Sequence, residues 1–272
     1  MNKGGLKKIS LKETLKNFQN VPNCILGVNE KNTVLMIEPR LIYGLVFVLN
    51  NVYRFLQNDW NYVFYCGKSC YSYWQRILPN FIEIRQLQVD NFPKSELYND
   101  FCKNIELWSS LYGEYILTIQ ADSWIMNKPP YDINYFLKLN KSFIGGNMNY
   151  DWGDFFNSQR LQTPVIRNFN GGLSLRKRIH MINILREYPP MPTNRYKRRL
   201  MNEFAEDVYF TIGCYKLGYP VGDDEASSHF SLHTIEKINY FGVHNPKKNI
   251  ARKINRHYPH LKYLNKHLKL NA

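Results

Sequence analysis

Four short groups of residues carry side chains that could bind and activate a phosphorylated substrate. Gln120-Ala121-Asp122-Ser123-Trp124 puts a carboxylate directly after an apolar run. A carboxylate there can hold a divalent cation, which neutralises charge on a departing diphosphate; the same Asp could instead cap the next turn. Asn170-Gly171-Gly172 pairs two residues that let backbone approach a ligand closely, or that simply turn the chain. Glu206-Asp207 opens a helical stretch, where acidic groups suit the positive end of the helix dipole. Either carboxylate could also take a proton from an attacking hydroxyl. Finally, Phe241-Gly242-Val243-His244 runs into Asn245-Pro246-Lys247-Lys248. A neutral imidazole can ligate a metal, and lysines can hold phosphate oxygens. The other histidines, His180, His229, His233, His257, His260 and His267, have no such setting.

The elements that must position these groups follow from apolar spacing. Residues 33–38 read as a buried strand ended by Pro39-Arg40, and residues 41–57 show helical spacing. Further strands are expected at 61–66, 81–87 and 115–119, with helices at 71–78 and 95–112 between them. This alternation predicts a mostly parallel sheet with helices on both faces. Ligands bind such sheets at the carboxyl ends of the strands, where Arg40 and Asp122 both fall. The second half is less regular. It offers a strand at 142–144 broken by Gly145-Gly146, a loop at 150–160, and a short strand at 173–175 after the glycine pair. A helix then runs to 186, a proline-rich loop follows, and a helix is expected over 206–217. A last strand over 238–243 leads to His244.

With 272 residues, 44% of them hydrophobic, the chain can bury a large core. Residues 1–16 lack the apolar stretch and cleavage site of a secretory signal, and the apolar run at 41–49 is too short to span a bilayer. The five cysteines, Cys24, Cys66, Cys70, Cys102 and Cys214, form no zinc pattern and suit a reducing compartment. A soluble cytoplasmic protein without a transmembrane segment is the expectation. Abundant Lys and Asn suit an AT-rich genome such as that of a large DNA virus. The net charge is +14. Much of the excess lies after Glu236, where no acidic residue follows, and Arg195–Arg199 forms a second basic cluster. A basic segment at 251–272 that packs on the body or touches acidic partners accounts for this better than a nucleic-acid surface.

The order of the motifs resembles that of the GT-A fold glycosyltransferases. There an acidic motif holds metal and nucleotide diphosphate, a glycine-rich loop shapes the sugar and acceptor site, Glu-Asp supplies a base, and a late His completes the metal shell. The chain is more closely similar to a domain-of-unknown-function family of predicted glycosyltransferases. The matching segments are Ile37–Arg40, Ala121–Ser123, Ile144–Gly146, Asn170–Arg176, Glu206–Phe210, Ala226–Ser231 and Phe241–His244, so the resemblance covers residues 33–248. Two positions depart from the pattern: Gln120 replaces the first acidic residue, and His233 stands where Glu is expected.

The resemblance implies an α/β fold, a GT-A-like (Rossmann-like) mostly parallel sheet flanked by helices, with a smaller mixed sheet on the acceptor side. It implies one catalytic domain over residues 1–250, its nucleotide-binding half at 30–125 and its acceptor half at 126–250. Asp122 and His244 would hold Mn²⁺ or Mg²⁺. Arg40, Asp122 and Lys247 would contact the nucleotide. Asn170, Gly171, Gly172 and Trp152 would line the donor and acceptor site, and Trp124 could also stack on a sugar. Asp207 would be the base, with Glu206 as second candidate. The implied reaction is inverting transfer of a sugar from a nucleoside-diphosphate sugar, UDP-linked, to a hydroxyl of a glycan, protein or small molecule. A nucleotidyltransferase and a nucleic-acid-binding protein are the alternatives. The former usually pairs carboxylates around two metals, which Gln120 disfavours.

Overall fold

The segment Thr33–Glu38 forms β1, and every one of its residues is buried. Val34 and Met36 enter one apolar cluster, Leu35 and Ile37 the other. A strand covered on both faces is apolar at consecutive positions, so this run shows no alternation. The structure, a computed structural model, describes residues 27–147, 169–194, 200–234, 237, 239–246 and 252.

Strands β2 (Asn61–Cys66) and β4 (Tyr115–Ile119) flank β1 in parallel, and β3 (Ile82–Gln86) lies parallel to β2. Strand β7 (Phe169–Lys177) joins β4 antiparallel, and β6 (Phe143–Asn147) joins β7 antiparallel. The sheet order is β3-β2-β1-β4-β7-β6. One face is covered by α1 (Leu45–Leu56), α2 (Tyr71–Ile77), α5 (Ile133–Lys138) and α8 (Asp224–Phe230). The other is covered by α3 (Ser95–Cys102), α4 (Ile105–Ser109), α6 (Arg178–Glu187) and α7 (Glu206–Lys216). The expected α/β sheet with helices on both faces is therefore present. A second, small sheet holds β5 (Ser123–Ile125), β9 (Gly242–His244) and β8 (Ser231–Leu232), in that order. It is mixed: β5 and β9 run antiparallel, β8 and β9 parallel.

Several expectations need correction. The single helix over 95–112 is two, α3 and α4, separated at Lys103-Asn104. Lys103 turns inward and donates to the carbonyls of Met191, Asn202 and Phe204 at 2.9–3.1 Å. Asn104 then caps α4, its Oδ1 accepting from the Glu106 amide at 2.8 Å. Helices α5 and α8 arise where periodicity announced none; Asp132 and Asp223 cap them, each accepting a backbone N–H at 2.8 Å. His244 lies inside a strand rather than after one. Both glycine pairs also lie inside strands. Across β6 and β7, Gly145 pairs with Ser174 and Gly146 with Asn170, so Gly171, Gly172 and Leu173 form a bulge without partners on β6, while Leu173 stays paired with Ile119 of β4. Bulges of this kind re-aim neighbouring groups. The loop expected at 150–160 lies outside the described residues.

Among the described residues, no helix is long and apolar enough to cross a membrane. Cys66, Cys70, Cys102 and Cys214 are buried free thiols. Burial pushes the Cys66 thiol up to about 12, which makes it inert rather than reactive.

Candidate active site

Beyond Ile119 the chain leaves the large sheet through a short turn. The Gln120 amide donates to Gly172 O at 2.8 Å, and the Ser123 amide to Gln120 O at 3.0 Å. The chain then enters β5, where Ser123 pairs with His244 of β9. This ladder carries a late residue of the chain onto the carboxyl end of β4. His244 Nε2 stands 3.0 Å from Gln120 Oε1 and 3.2 Å from Asp122 Oδ1. The imidazole is buried, whereas the Asp122 side chain is 45% exposed. Partial burial pushes the Asp122 carboxyl up. The charge and hydrogen bond of His244, a backbone N–H and the charge of His233 outweigh that and leave it below its ordinary value. His233 accompanies this pair, its Nδ1 lying 2.9 Å from His244 O and its ring stacked 5.7 Å from that of His244.

The two glycines of the bulge each yield space to one functional group. A Cβ on Gly171 would fall 2.0 Å from Glu206 Oε1 and 2.8 Å from Arg176 Nη2. A Cβ on Gly172 would fall 2.1 Å from His244 Nε2. Asn170 holds the bulge in shape, its Oδ1 accepting from the Gly172 amide at 3.0 Å.

Helix α7 opens with two carboxylates that the structure treats differently. Glu206 is buried and forms a bidentate pair with Arg176, whose Nη2 lies 3.2 Å from Oε1 and whose Nη1 lies 2.5 Å from Oε2. Arg176 is 1% exposed, and its guanidinium lies over the Phe143 ring at 4.6 Å. Both carboxylate oxygens of Glu206 are thus engaged. Asp207 is only partly buried. Burial and the Glu206 charge push its carboxyl up to about 6, against the pull of the Val208 N–H, the Arg176 charge and the Gly171 N–H. A carboxylate of that affinity is matched to accepting a proton near neutral pH. Gly171 faces Glu206 at the start of α7 while Gly172 abuts His244, so the glycine pair lies between the Glu206-Asp207 turn and the Asp122–His244 pair.

Arg40 lies at the carboxyl end of β1. Glu38 holds it in a bidentate pair at 2.8 and 2.9 Å, and Asp122 lies within electrostatic reach of the guanidinium. The structure therefore brings together Arg40, Asp122, Gly171, Gly172, Asn170, Glu206, Asp207 and His244. Trp124 packs against Met126, Leu232, Tyr240 and Val243. Lys247 and Trp152 lie outside the described residues. His180 and His229 have structural settings: His180 stacks on Tyr219 and meets Ser142, and His229 stacks on Tyr131.

Sequence reading missed three contributors. Arg176 was signalled by a charge on a strand whose neighbouring residues are buried. Asn99, whose Oδ1 accepts the Glu206 amide at 3.3 Å, sits on α3 without any local signal. Lys103 looked like an ordinary surface residue of one long helix.

Residues 81–247, more than half of the chain, match the family described as protein of unknown function (DUF5672). The chain belongs to the DUF5672 family. The matched span contains Asp122, the glycine pair, Glu206-Asp207 and His244, and leaves Arg40 outside. No curated protein matches this DUF5672 chain.

A divalent cation is implied by the GT-A resemblance, and the donor set of this DUF5672 chain can be tested for it. One carboxylate oxygen, one amide oxygen and one imidazole nitrogen converge at Gln120, Asp122 and His244. Oxygen donors with one imidazole suit Mn²⁺ or Mg²⁺. Among the described residues no group of three or more His, Cys, Asp or Glu side chains could hold a metal. The cluster supplies two such side chains, Asp122 and His244, beside the Gln120 oxygen.

Proposed function

We propose that the protein is a metal-assisted glycosyltransferase that moves a sugar from a nucleoside-diphosphate sugar to a hydroxyl acceptor with inversion. The observation that carries this reading is the pairing, across one glycine bulge, of a half-buried carboxyl raised to about 6 with an Asp–His–Gln donor cluster. Both lie at the carboxyl end of the sheet, where α/β folds bind nucleotides.

In this reading Asp122, His244 and Gln120 hold the cation, which when bound neutralises charge on the diphosphate. Arg40 faces the nucleotide, its fork fixed by Glu38. Asp207 takes the proton from the acceptor hydroxyl as the oxygen bonds to the anomeric carbon. The bond from that carbon to the diphosphate oxygen breaks on the opposite side, and the nucleoside diphosphate leaves with the electron pair. Glu206 is assigned a structural part, because Arg176 occupies both of its oxygens.

Calorimetric titration of nucleoside diphosphates and nucleotide sugars, with and without Mn²⁺, tests the donor site. The expected result is Mn²⁺-dependent binding of one nucleotide, lost in Asp122→Ala. Absence of binding across the panel by folded protein rejects the reading. Release of pyrophosphate instead of nucleoside diphosphate would assign a nucleotidyltransferase.

A further inference from the structure

We infer that Ser123 is a positioning residue of the metal and nucleotide site: its hydroxyl ties the Asp122 turn to the glycine bulge and thereby holds Asp122 and His244 in register. The inference rests on the glycosyltransferase reading and adds to it a buried hydroxyl that bonds to backbone rather than to a ligand.

Three links meet at Ser123. It follows Asp122 in the chain, and across the small sheet it is the strand partner of His244. Its side chain is buried, and its Oγ donates to Gly172 O at 3.0 Å. That carbonyl also accepts the Gln120 amide at 2.8 Å, while the Ser123 amide closes the turn on Gln120 O at 3.0 Å. One carbonyl therefore holds both ends of the segment that carries Asp122. Gly172 is also the residue on which the His244 ring rests, since a Cβ there would fall 2.1 Å from Nε2. The hydroxyl thus connects the carboxylate turn to the floor under the imidazole, beside the 3.2 Å approach of Asp122 Oδ1 to His244 Nε2.

Ser174 makes the equivalent tie on the other side of the bulge. Its Oγ donates to Gly171 O at 2.9 Å and accepts from Arg176 Nε at 2.9 Å. Each serine hydroxyl fixes one glycine carbonyl, Ser123 on the side of His244 and Ser174 on the side of the Arg176–Glu206 pair. A hydroxyl has one proton to donate, so each tie is exclusive. Losing the Ser123 hydroxyl leaves Gly172 O with the Gln120 amide, so no buried carbonyl is stranded. Losing the Ser174 hydroxyl takes an acceptor from Arg176 Nε, a charged donor in the interior. Ser174→Ala is therefore the more damaging to stability and the less damaging to the cation site.

This contrast gives a test that a merely structural serine would not pass. Mn²⁺ binding to the full chain is followed by electron paramagnetic resonance in the presence of UDP and, in parallel, GDP, with urea unfolding of each protein beside it. The proteins are wild type, Ser123→Ala, Ser123→Thr and Ser174→Ala. Ser123→Ala is expected to lower Mn²⁺ affinity about tenfold, the scale of one hydrogen bond. Ser123→Thr keeps the hydroxyl and should stay within about threefold of wild type. Ser174→Ala should unfold at lower urea than Ser123→Ala, yet change Mn²⁺ affinity less than about twofold. Unchanged affinity in Ser123→Ala, a loss in Ser123→Thr as large as in Ser123→Ala, or an equal loss in Ser174→Ala overturns the inference while leaving the donor site standing. Should Ser174→Ala fail to fold, the contrast between Ser123→Ala and Ser123→Thr decides alone. No Mn²⁺ binding by folded wild-type protein with either nucleotide rejects the glycosyltransferase reading and this inference together.

Discussion

Gly172 and His244 touch so closely that a single added methyl would stand 2.1 Å from the imidazole Nε2, although 72 residues of chain separate them. Its neighbour Gly171 has the same relationship to Glu206. The two glycines are therefore not interchangeable, because one makes room for the His244 ring and the other for a buried ion pair.

Substituting them should separate function from stability. Gly172→Ala displaces the imidazole and should weaken metal-dependent nucleotide binding more than tenfold while leaving most of the fold intact. Gly171→Ala intrudes on the Arg176–Glu206 pair, which is enclosed and has nowhere to relax. It should cost about 3 kcal/mol of stability. Urea unfolding alongside calorimetric titration distinguishes them; equal destabilisation by both would refute the separation.

The Asp207 carboxyl makes two linked predictions. Its folded affinity of about 6 lies above the ordinary Asp value of 3.8. In the proposed role of base it must be ionised, so transfer should rise as pH increases through about 6. Asp207→Asn should abolish transfer while leaving nucleotide binding unchanged.

The same carboxyl affects stability with the opposite sign. Where the folded pKa exceeds the unfolded one, the folded state binds more protons between the two values, and stability is lost as pH rises through that window. The Asp207 contribution should therefore fall between pH 3.8 and about 6. Asp207→Asn removes this penalty and should stabilise the protein at pH 8 by on the order of 2 kcal/mol. Thermal melts of both proteins across that range give the answer; a less stable variant at pH 8 would count against burial as the cause.

The Arg176–Glu206 pair should be costly to break from one side only. Glu206→Gln or Arg176→Met leaves an uncompensated buried charge and should destabilise by about 3–5 kcal/mol. Removing both charges together should recover a measurable part of that loss. A double-mutant cycle by chemical unfolding measures the coupling, and strictly additive losses would show that the pair is not a unit.

Lys103 offers a remote test of how the site is held. Its ammonium is the common donor to Met191 O, Asn202 O and Phe204 O. Lys103→Met keeps the stem but strands those carbonyls, at a cost of about 2–3 kcal/mol. Amide exchange should accelerate in residues 200–205 ahead of the parallel strands. Uniform acceleration across the molecule would show instead that the clamp is not local.

The layered α/β plan was legible from local residues, because each buried strand and amphipathic helix writes its burial into a few consecutive positions. The sequence also placed Arg40 and Asp122 at strand ends, since strand boundaries are set by local Pro, Gly and polar residues. It could not say what the glycines were for. Nothing near Gly171 or Gly172 in the chain reveals Glu206 or His244, which meet them only once β7 bulges and β9 folds against β5. Nor could it choose between adjacent carboxylates. Glu206 and Asp207 differ in setting because a helix turns successive side chains about 100° apart, so Glu206 meets Arg176 while Asp207 accepts from the Val208 N–H. The inward turn of Lys103 is likewise a long-range event. It joins the end of α3 to carbonyls 88 to 101 residues away, and only packing decides it.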